Sequence, residues 1–150
     1  TADGFVRRGR QANWASMIVA DCNLIAYLLL EGPRTRTAEA VFLRDPAWAA
    51  PLLWRSELRN VLATQMRVNH LPLAEALLKM TEAETVIGSL QFPVSSDEVL
   101  EECARSGVSA YDAEYLVVAR KLQVPLLTLD QRLLSSGAPV AWTPEAFLAR

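Results

Sequence analysis

One histidine, two cysteines and no long apolar run are the shortages that first narrow this 150-residue sequence. The single His70 and the pair Cys22 and Cys103 cannot assemble a His/Cys zinc cluster, and the cysteines match neither a C-x-x-C nor a zinc spacing. Their apolar neighbours mark them as packed thiols, and nothing points to an oxidising compartment. His70, beside Pro72 in an expected interhelical turn, is given no role. The longest uninterrupted apolar run, Leu24 to Leu30, falls far short of the ~20 residues a membrane-crossing helix needs. Internal repeats, low-complexity tracts and interdomain linkers are missing as well. An excess of basic charge is also lacking. The formal net charge of −2 excludes a bulk nucleic-acid coater, but not a nuclease, because an acidic metal site lowers the total.

What is present suits one globular domain. Hydrophobic residues make up 51%, and 150 residues can bury a core without disulfide or metal staples. Charge is uneven: Arg7, Arg8 and Arg10 against Asp3 give residues 1–16 a charge of +2, so the remainder carries −4. That first segment has no initiator Met and no clear apolar period. Met17, at the head of a strand pattern, is the expected native start, with residues 1–16 an upstream extension or cloning remnant and residues 17–150 the domain. The rival reading is a signal peptide, with the three arginines leading into the apolar stretch from Trp14 to Leu30. Asp21 and Asn23 interrupt that stretch and no small-residue cleavage site follows, so the expected location is the cytoplasm.

From Met17 the pattern alternates between short apolar runs and helical stripes. Strands are expected at Met17 to Ala20, Trp48 to Pro51, Gln91 to Val94, Val124 to Leu129 and Pro139 to Trp142. Helices are expected from Asn23 to about Leu30, Arg34 to Leu43, Arg55 to Arg67, Leu71-Pro72 to about Glu84, Ser95 to Gly107 and Ser109 to Leu122, with a last one from Thr143-Pro144. Strands separated by helices imply an α/β fold, a parallel sheet of four to five short strands covered on both faces. Ligands of such sheets sit beyond the carboxyl ends of the strands, near the point where strand order reverses.

Asp21 and Asp130 stand at expected strand ends, and Glu57 and Asp112 open expected helices. Asp112 shares a helix face with Tyr115, Leu116 and Ala119 while Glu114 points away, so its carboxylate is directed inward. Each acid also has a plain structural role open to it. Asp112 lies three residues after the Ser109 cap, where negative charge suits the helix dipole, and Glu57 sits in a first turn. Asp21 can cap its helix in competition with Asn23, and Asp130 can serve a strand-to-helix turn. Four carboxylates at one rim would nevertheless repel one another and raise one another's pKa. A hard, oxygen-seeking cation, Mg²⁺ or Mn²⁺, removes that conflict.

Four segments carry a resemblance. Met-Ile-Val-Ala-Asp-Cys-Asn (17–23), Ser-Glu-Leu-Arg-Asn-Val-Leu (56–62), Ser-Ala-Tyr-Asp-Ala-Glu-Tyr-Leu (109–116) and Leu-Thr-Leu-Asp (127–130) resemble, in order and spacing, the four acidic motifs of PIN domains. The likeness spans residues 17–150 and is nearest to the VapC toxins of toxin–antitoxin pairs. Cys22 departs from it, since Thr or Ser is more usual before the Asn. The resemblance implies a three-layer PIN-like fold and a metal-dependent endoribonuclease. One or two Mg²⁺ ions would be held by Asp21, Glu57, Asp112 and Asp130. Asn23 and Ser109, unless they are simply helix caps, would hydrogen-bond a ligand carboxylate or bound water, and Arg55, Arg59 and Arg67 would follow the RNA backbone. It further implies a homodimer silenced by a cognate antitoxin whose tail covers the acidic groove. A PIN-type nuclease of RNA processing without an antitoxin, and a non-catalytic binding module of the same fold, are the alternatives.

Overall fold

The computed structural model describes residues 17–150, and the expectations for residues 1–16 lie outside them. Five parallel strands form one sheet in the order β3-β2-β1-β4-β5. They are β1 (Ile18–Ala20), β2 (Trp48–Pro51), β3 (Gln91–Phe92), β4 (Leu126–Leu127) and β5 (Ala141–Trp142). Every residue of β1, β2 and β4 is buried. That explains their unbroken apolar runs, since a parallel strand with both faces covered has no polar side to alternate with.

Among the described residues eight helices cover the sheet. They are α1 (Cys22–Leu29), α2 (Thr35–Arg44), α3 (Trp54–Val68), α4 (Leu73–Ile87), α5 (Ser96–Ser106), α6 (Ala110–Leu122), α7 (Gln131–Ser136) and α8 (Pro144–Leu148). Helix α1 packs with α2, α3 and α4, α8 rests on α2, and α6 lies across β1, β2 and β4 with α5 beside it. Trp48 and Trp54 are wholly buried, and each indole N–H is satisfied, by Asp45 O at 2.8 Å and Gln91 Oε1 at 3.2 Å. Between α5 and α6 the buried Glu102 carboxylate accepts from Arg120. The three-layer α/β arrangement expected from the sequence is the one observed.

Several boundaries differ from expectation for identifiable reasons. Strand β4 is shorter than Val124 to Leu129 because the Val124 N–H donates to Ala119 O at the end of α6 and Pro125 has no N–H to offer. Strand β5 loses Pro139 and Val140 to a tight turn, in which the Val140 and Ala141 N–H groups both donate to Gly137 O. Helix α7 supplies the helix after the strand-to-helix turn open to Asp130, but no range for it is legible: its six residues bury only Leu133, too little for a helical period to register. Helix α1 begins at Cys22, capped by Asp21 rather than Asn23.

The strand order reverses once. After β1, β2 and β3 step outward, the chain returns to place β4 on the other side of β1, with Val19 opposite Leu126 and Ala20 opposite Leu127. The connections leaving β1 and β4 therefore diverge at the carboxyl rim and leave a crevice there. Helix α6 leads down into β4, so its amino-terminal turn stands at that rim too.

Gly137 has an ordinary backbone but no room: a Cβ would lie 2.7 Å from Leu133 O and 2.8 Å from Leu116 Cδ2. Gly107 is the reverse case, with φ +74° and nothing within 4 Å. Urea unfolding should show Gly137→Ala destabilised by about 1–3 kcal/mol through overpacking. Gly107→Ala should lose about 1 kcal/mol through backbone strain alone. An unchanged midpoint for Gly137→Ala would contradict the close packing of α7 on α6.

Candidate metal centre

All four expected carboxylates meet. Asp21, Glu57, Asp112 and Asp130 line one cavity of about 220 Å³ at the carboxyl rim, joined by Asn23, Asn60 and Tyr115 and by no basic side chain. Asp21 follows β1, Asp130 follows β4, Glu57 lies in the first turn of α3 just beyond β2, and Asp112 lies in the first turn of α6. Four separate chain segments thus deliver one acid each.

Asp21 is the most enclosed, at 8% exposure. Its Oδ1 accepts from the Leu24 N–H at 2.8 Å and its Oδ2 from the Thr128 hydroxyl at 2.6 Å. The Thr128 oxygen in turn accepts from the Asp130 N–H at 3.1 Å, so one buried hydroxyl fixes both strand-end acids. Asp130 caps α7 through Oδ1, which accepts from Leu133 N–H at 2.9 Å, and its side chain is otherwise exposed. Across the cavity the Tyr115 hydroxyl donates to Glu57 Oε1 at 2.5 Å, tying α6 to α3.

Burial in a cavity with no basic side chain in its lining sets most of the electrostatics. Desolvation raises the Asp21 carboxyl to about 6, against the lowering pull of Thr128 and Leu24, and the charges of Glu57 and Asp130 add to the rise. Glu57 is raised mainly by burial, partly offset by Tyr115, with Asp112 and Glu114 raising it further. Asp112 is raised by burial and then by Asp130, while a hydrogen bond with Ser109 and the charge of Arg132 pull it down. Burial and the neighbouring Glu57 push the Cys22 thiol up to about 12, so it stays protonated and inert.

The donor set fits a hard divalent cation. It is carboxylate and amide oxygen, with the only cysteine held as a thiol and His70 far outside on the α3–α4 turn. Among the described residues no three acidic, His or Cys groups already close on one point as a finished cage. Mg²⁺ needs none, because it keeps several waters and takes only one or two carboxylates directly.

The remaining expected residues divide. Asn23 is exposed at the start of α1 and lines the cavity, with no cap role. Ser109 is outside it and caps α6, accepting from the Asp112 N–H at 3.1 Å. Arg55 is half-buried, its Nε donating to Gln91 at 3.1 Å and its Nη1 paired with Glu84 at 3.3 Å. Those contacts engage it with β3 and α4. Arg59 and Arg67 are exposed, with no ion pair among the described residues. Sequence reasoning missed the positioning roles of Thr128 and Tyr115, and the amide of Asn60. Thr128 carried a usable signal, a hydroxyl between two leucines in a strand that should otherwise be wholly apolar.

No protein-family model and no curated protein matches the sequence. Solved structures do. The chain is similar to PAE2754 from Pyrobaculum aerophilum at 22% identity and a TM-score of 0.69, over 91% of this chain and 89% of that one. It is similar to FitAcB from Neisseria gonorrhoeae at 15% identity and 0.68, over 86% and 99%. A toxin–antitoxin complex from Klebsiella pneumoniae matches at 17% identity and 0.62, over 85% and 97%. The PIN-like fold expected from the four motifs is the fold these structures share with it.

The raised Asp21 makes a pH dependence. Its folded value of about 6 exceeds the ordinary 3.8, so the protonated acid favours the fold. That contribution is complete below the ordinary value and lost as pH rises through about 6. Cation-free protein should therefore melt lower at about pH 7.5 than at about pH 5. Asp21→Asn, which retains the capping oxygen, should gain about 2–3 kcal/mol at the higher pH. A variant less stable than wild type at both pH values would show the carboxylate to be a net stabiliser.

Proposed function

We propose that this chain is a Mg²⁺-dependent endoribonuclease acting as the toxin of a toxin–antitoxin pair. The observation that carries the reading is the convergence of Asp21, Glu57, Asp112 and Asp130 on one cavity that contains no base. A structural role for each acid accounts for its own segment, but not for four segments spending their acids at one point.

The cation would be held among these four carboxylates, one or two of them directly and the others through its waters, with Mn²⁺ an able substitute. When bound, it supplies positive charge to the scissile phosphate and lowers the pKa of an attacking water. The residues themselves do the positioning. Thr128 and the Leu24 N–H hold both oxygens of Asp21, Tyr115 holds one oxygen of Glu57, and capping of α7 fixes Asp130. Each of Glu57 and Asp130, both lining the cavity, keeps one oxygen with no hydrogen-bond partner among the described residues. Asn23 and Asn60 offer amides at the mouth, where a phosphate oxygen or ordered water can take a hydrogen bond. Attack by water, in place of the RNA 2′-hydroxyl, leaves a 5′-phosphate and a 3′-hydroxyl.

The partners follow from the same reading: an RNA substrate, a cognate antitoxin and a second copy of the chain. The likeness to a chain of a toxin–antitoxin complex supports an antitoxin partner. No described helix is long and apolar enough to cross a membrane.

Cleavage of total tRNA and rRNA should require Mg²⁺ or Mn²⁺ and stop in EDTA. Asp112→Asn and Asp130→Asn should each lower the rate by on the order of a hundredfold or more, the scale of losing one electrostatic stabiliser of a transition state. Circular dichroism should show both variants folded, since Asn at 130 still caps α7 and the cap of α6 is Ser109, not Asp112. Full activity in either variant, or in EDTA, would refute the site.

A further inference from the structure

A second cavity, of about 340 Å³, opens on the other side of the first turn of α6. Val94, Val99 and Leu100 form apolar walls, and Ser96, Tyr111 and Glu114 supply its polar groups. Val94 follows β3 at its carboxyl end, and Ser96 and Tyr111 open α5 and α6, so this cavity lies on the same rim as the acidic one. One helical turn divides the two. Asp112 and Tyr115 face the acids, while Tyr111 and Glu114, three residues apart, face the second cavity. Glu114 is close enough to Glu57 for its charge to bear on that carboxyl.

Tyr111 is conspicuous here. It is 65% exposed in the first turn of α6, next to Asp112 in the chain, and Leu100, which lines the same cavity, is 64% exposed. An open aromatic ring beside an apolar wall, with a carboxylate and a hydroxyl at the edge, matches the recognition of an unpaired nucleobase. The ring stacks on the base face and the polar groups meet its edge. We propose that this cavity, through Tyr111, Glu114 and Ser96, binds one unstacked base of the RNA strand, adjoining the phosphate held at the acidic pocket. The proposal rests on the ribonuclease reading above.

The edge chemistry selects among bases. A carboxylate accepts hydrogen bonds and donates none. Guanine presents adjacent N1–H and N2–H₂ donors, a pair that matches the two carboxylate oxygens. Uracil presents one N–H between two carbonyls, which Glu114 would repel. Guanine is the base this cavity takes best. A strand lying across the turn of α6 then has its guanine on Tyr111 and its neighbouring phosphate among the four acids.

The test uses the full chain with Ca²⁺, an oxygen-seeking cation, in place of Mg²⁺, and a fluorescein-labelled oligouridine carrying one central guanosine, with inosine and uridine versions beside it. Fluorescence anisotropy should show the guanosine strand bound most tightly and the uridine strand least, with inosine, which lacks the N2 amine, between them. Tyr111→Ala should weaken guanosine binding about tenfold, the scale of one lost base–aromatic stack. Tyr111→Phe should retain it. Glu114→Gln should remove the preference for guanosine over uridine while leaving the stack. In cleavage with Mg²⁺, Tyr111→Ala should raise KM with kcat little changed, the signature of lost uniform binding.

Equal affinity of Tyr111→Ala and wild type for all three strands would overturn the proposal and leave the exposed face to a protein partner. Loss of binding in Tyr111→Phe as large as in Tyr111→Ala would overturn it too, since the ring would then not be the contact. The two readings separate cleanly. Cleavage that is indifferent to Tyr111 sinks the base site alone. Guanosine binding that depends on Tyr111 in a protein that cuts no RNA sinks the nuclease alone.

Discussion

The constraint on which everything at the rim depends is the cost of holding a carboxylate out of water beside others of its kind. Asp21 is nearly enclosed, and the Thr128 hydroxyl and Leu24 N–H do not offset that burial, because its carboxyl still rises to about 6. Two good hydrogen bonds lose to desolvation plus the charges of Glu57 and Asp130. A fold that needed only a helix cap at this position could have used serine or asparagine without that cost. The strain is local and electrostatic, and it is the kind that a divalent cation relieves.

The fold concentrates this strain by its strand order. Because β4 returns to the far side of β1, the acids after those two strands stand next to each other, with Thr128 bridging them. Helices α3 and α6 then bring Glu57 and Asp112 to the same rim, locked together by Tyr115. The stiffness of the arrangement comes from neutral donors, a hydroxyl, a phenol and backbone N–H groups. Basic side chains are kept out, so the negative charge of the cavity is left for something that binds there. The neighbouring cavity at Tyr111 continues the same rim in apolar and aromatic character, as a nucleotide with one charged and one flat half would require.

Much of this could be read from the sequence where burial was complete or turn chemistry was strong. Strand β2 spans Trp48–Pro51 as expected, since its run is fully buried and bounded by proline. The Ser95 and Ser109 caps and the Gly107 terminus also agree with expectation, because capping is a contact within three or four residues. Where a contact spans the chain, the sequence was silent. Thr128 and Asp21 are 107 residues apart and Tyr115 and Glu57 are 58 apart, so a lone hydroxyl among leucines can mark Thr128 but neither residue's partner is written locally. The partners of Arg55 are of the same distant kind, Gln91 from β3 and Glu84 from α4. The contest between Asp21 and Asn23 for the α1 cap could not be decided from composition, and the strand geometry before Asp21 decides it.

The most direct measurement is calorimetric titration of the chelator-stripped protein with Mn²⁺ near pH 6, in two buffers of different ionisation heat. Since Asp21 is about half protonated there, cation binding at the four carboxylates should release protons, and the apparent heat should differ between buffers. Affinity should rise toward pH 7.5 and fall steeply in Asp112→Asn. An absence of saturable binding, or binding that releases no proton and is indifferent to Asp112, would contradict the assignment of this cavity to a metal ion.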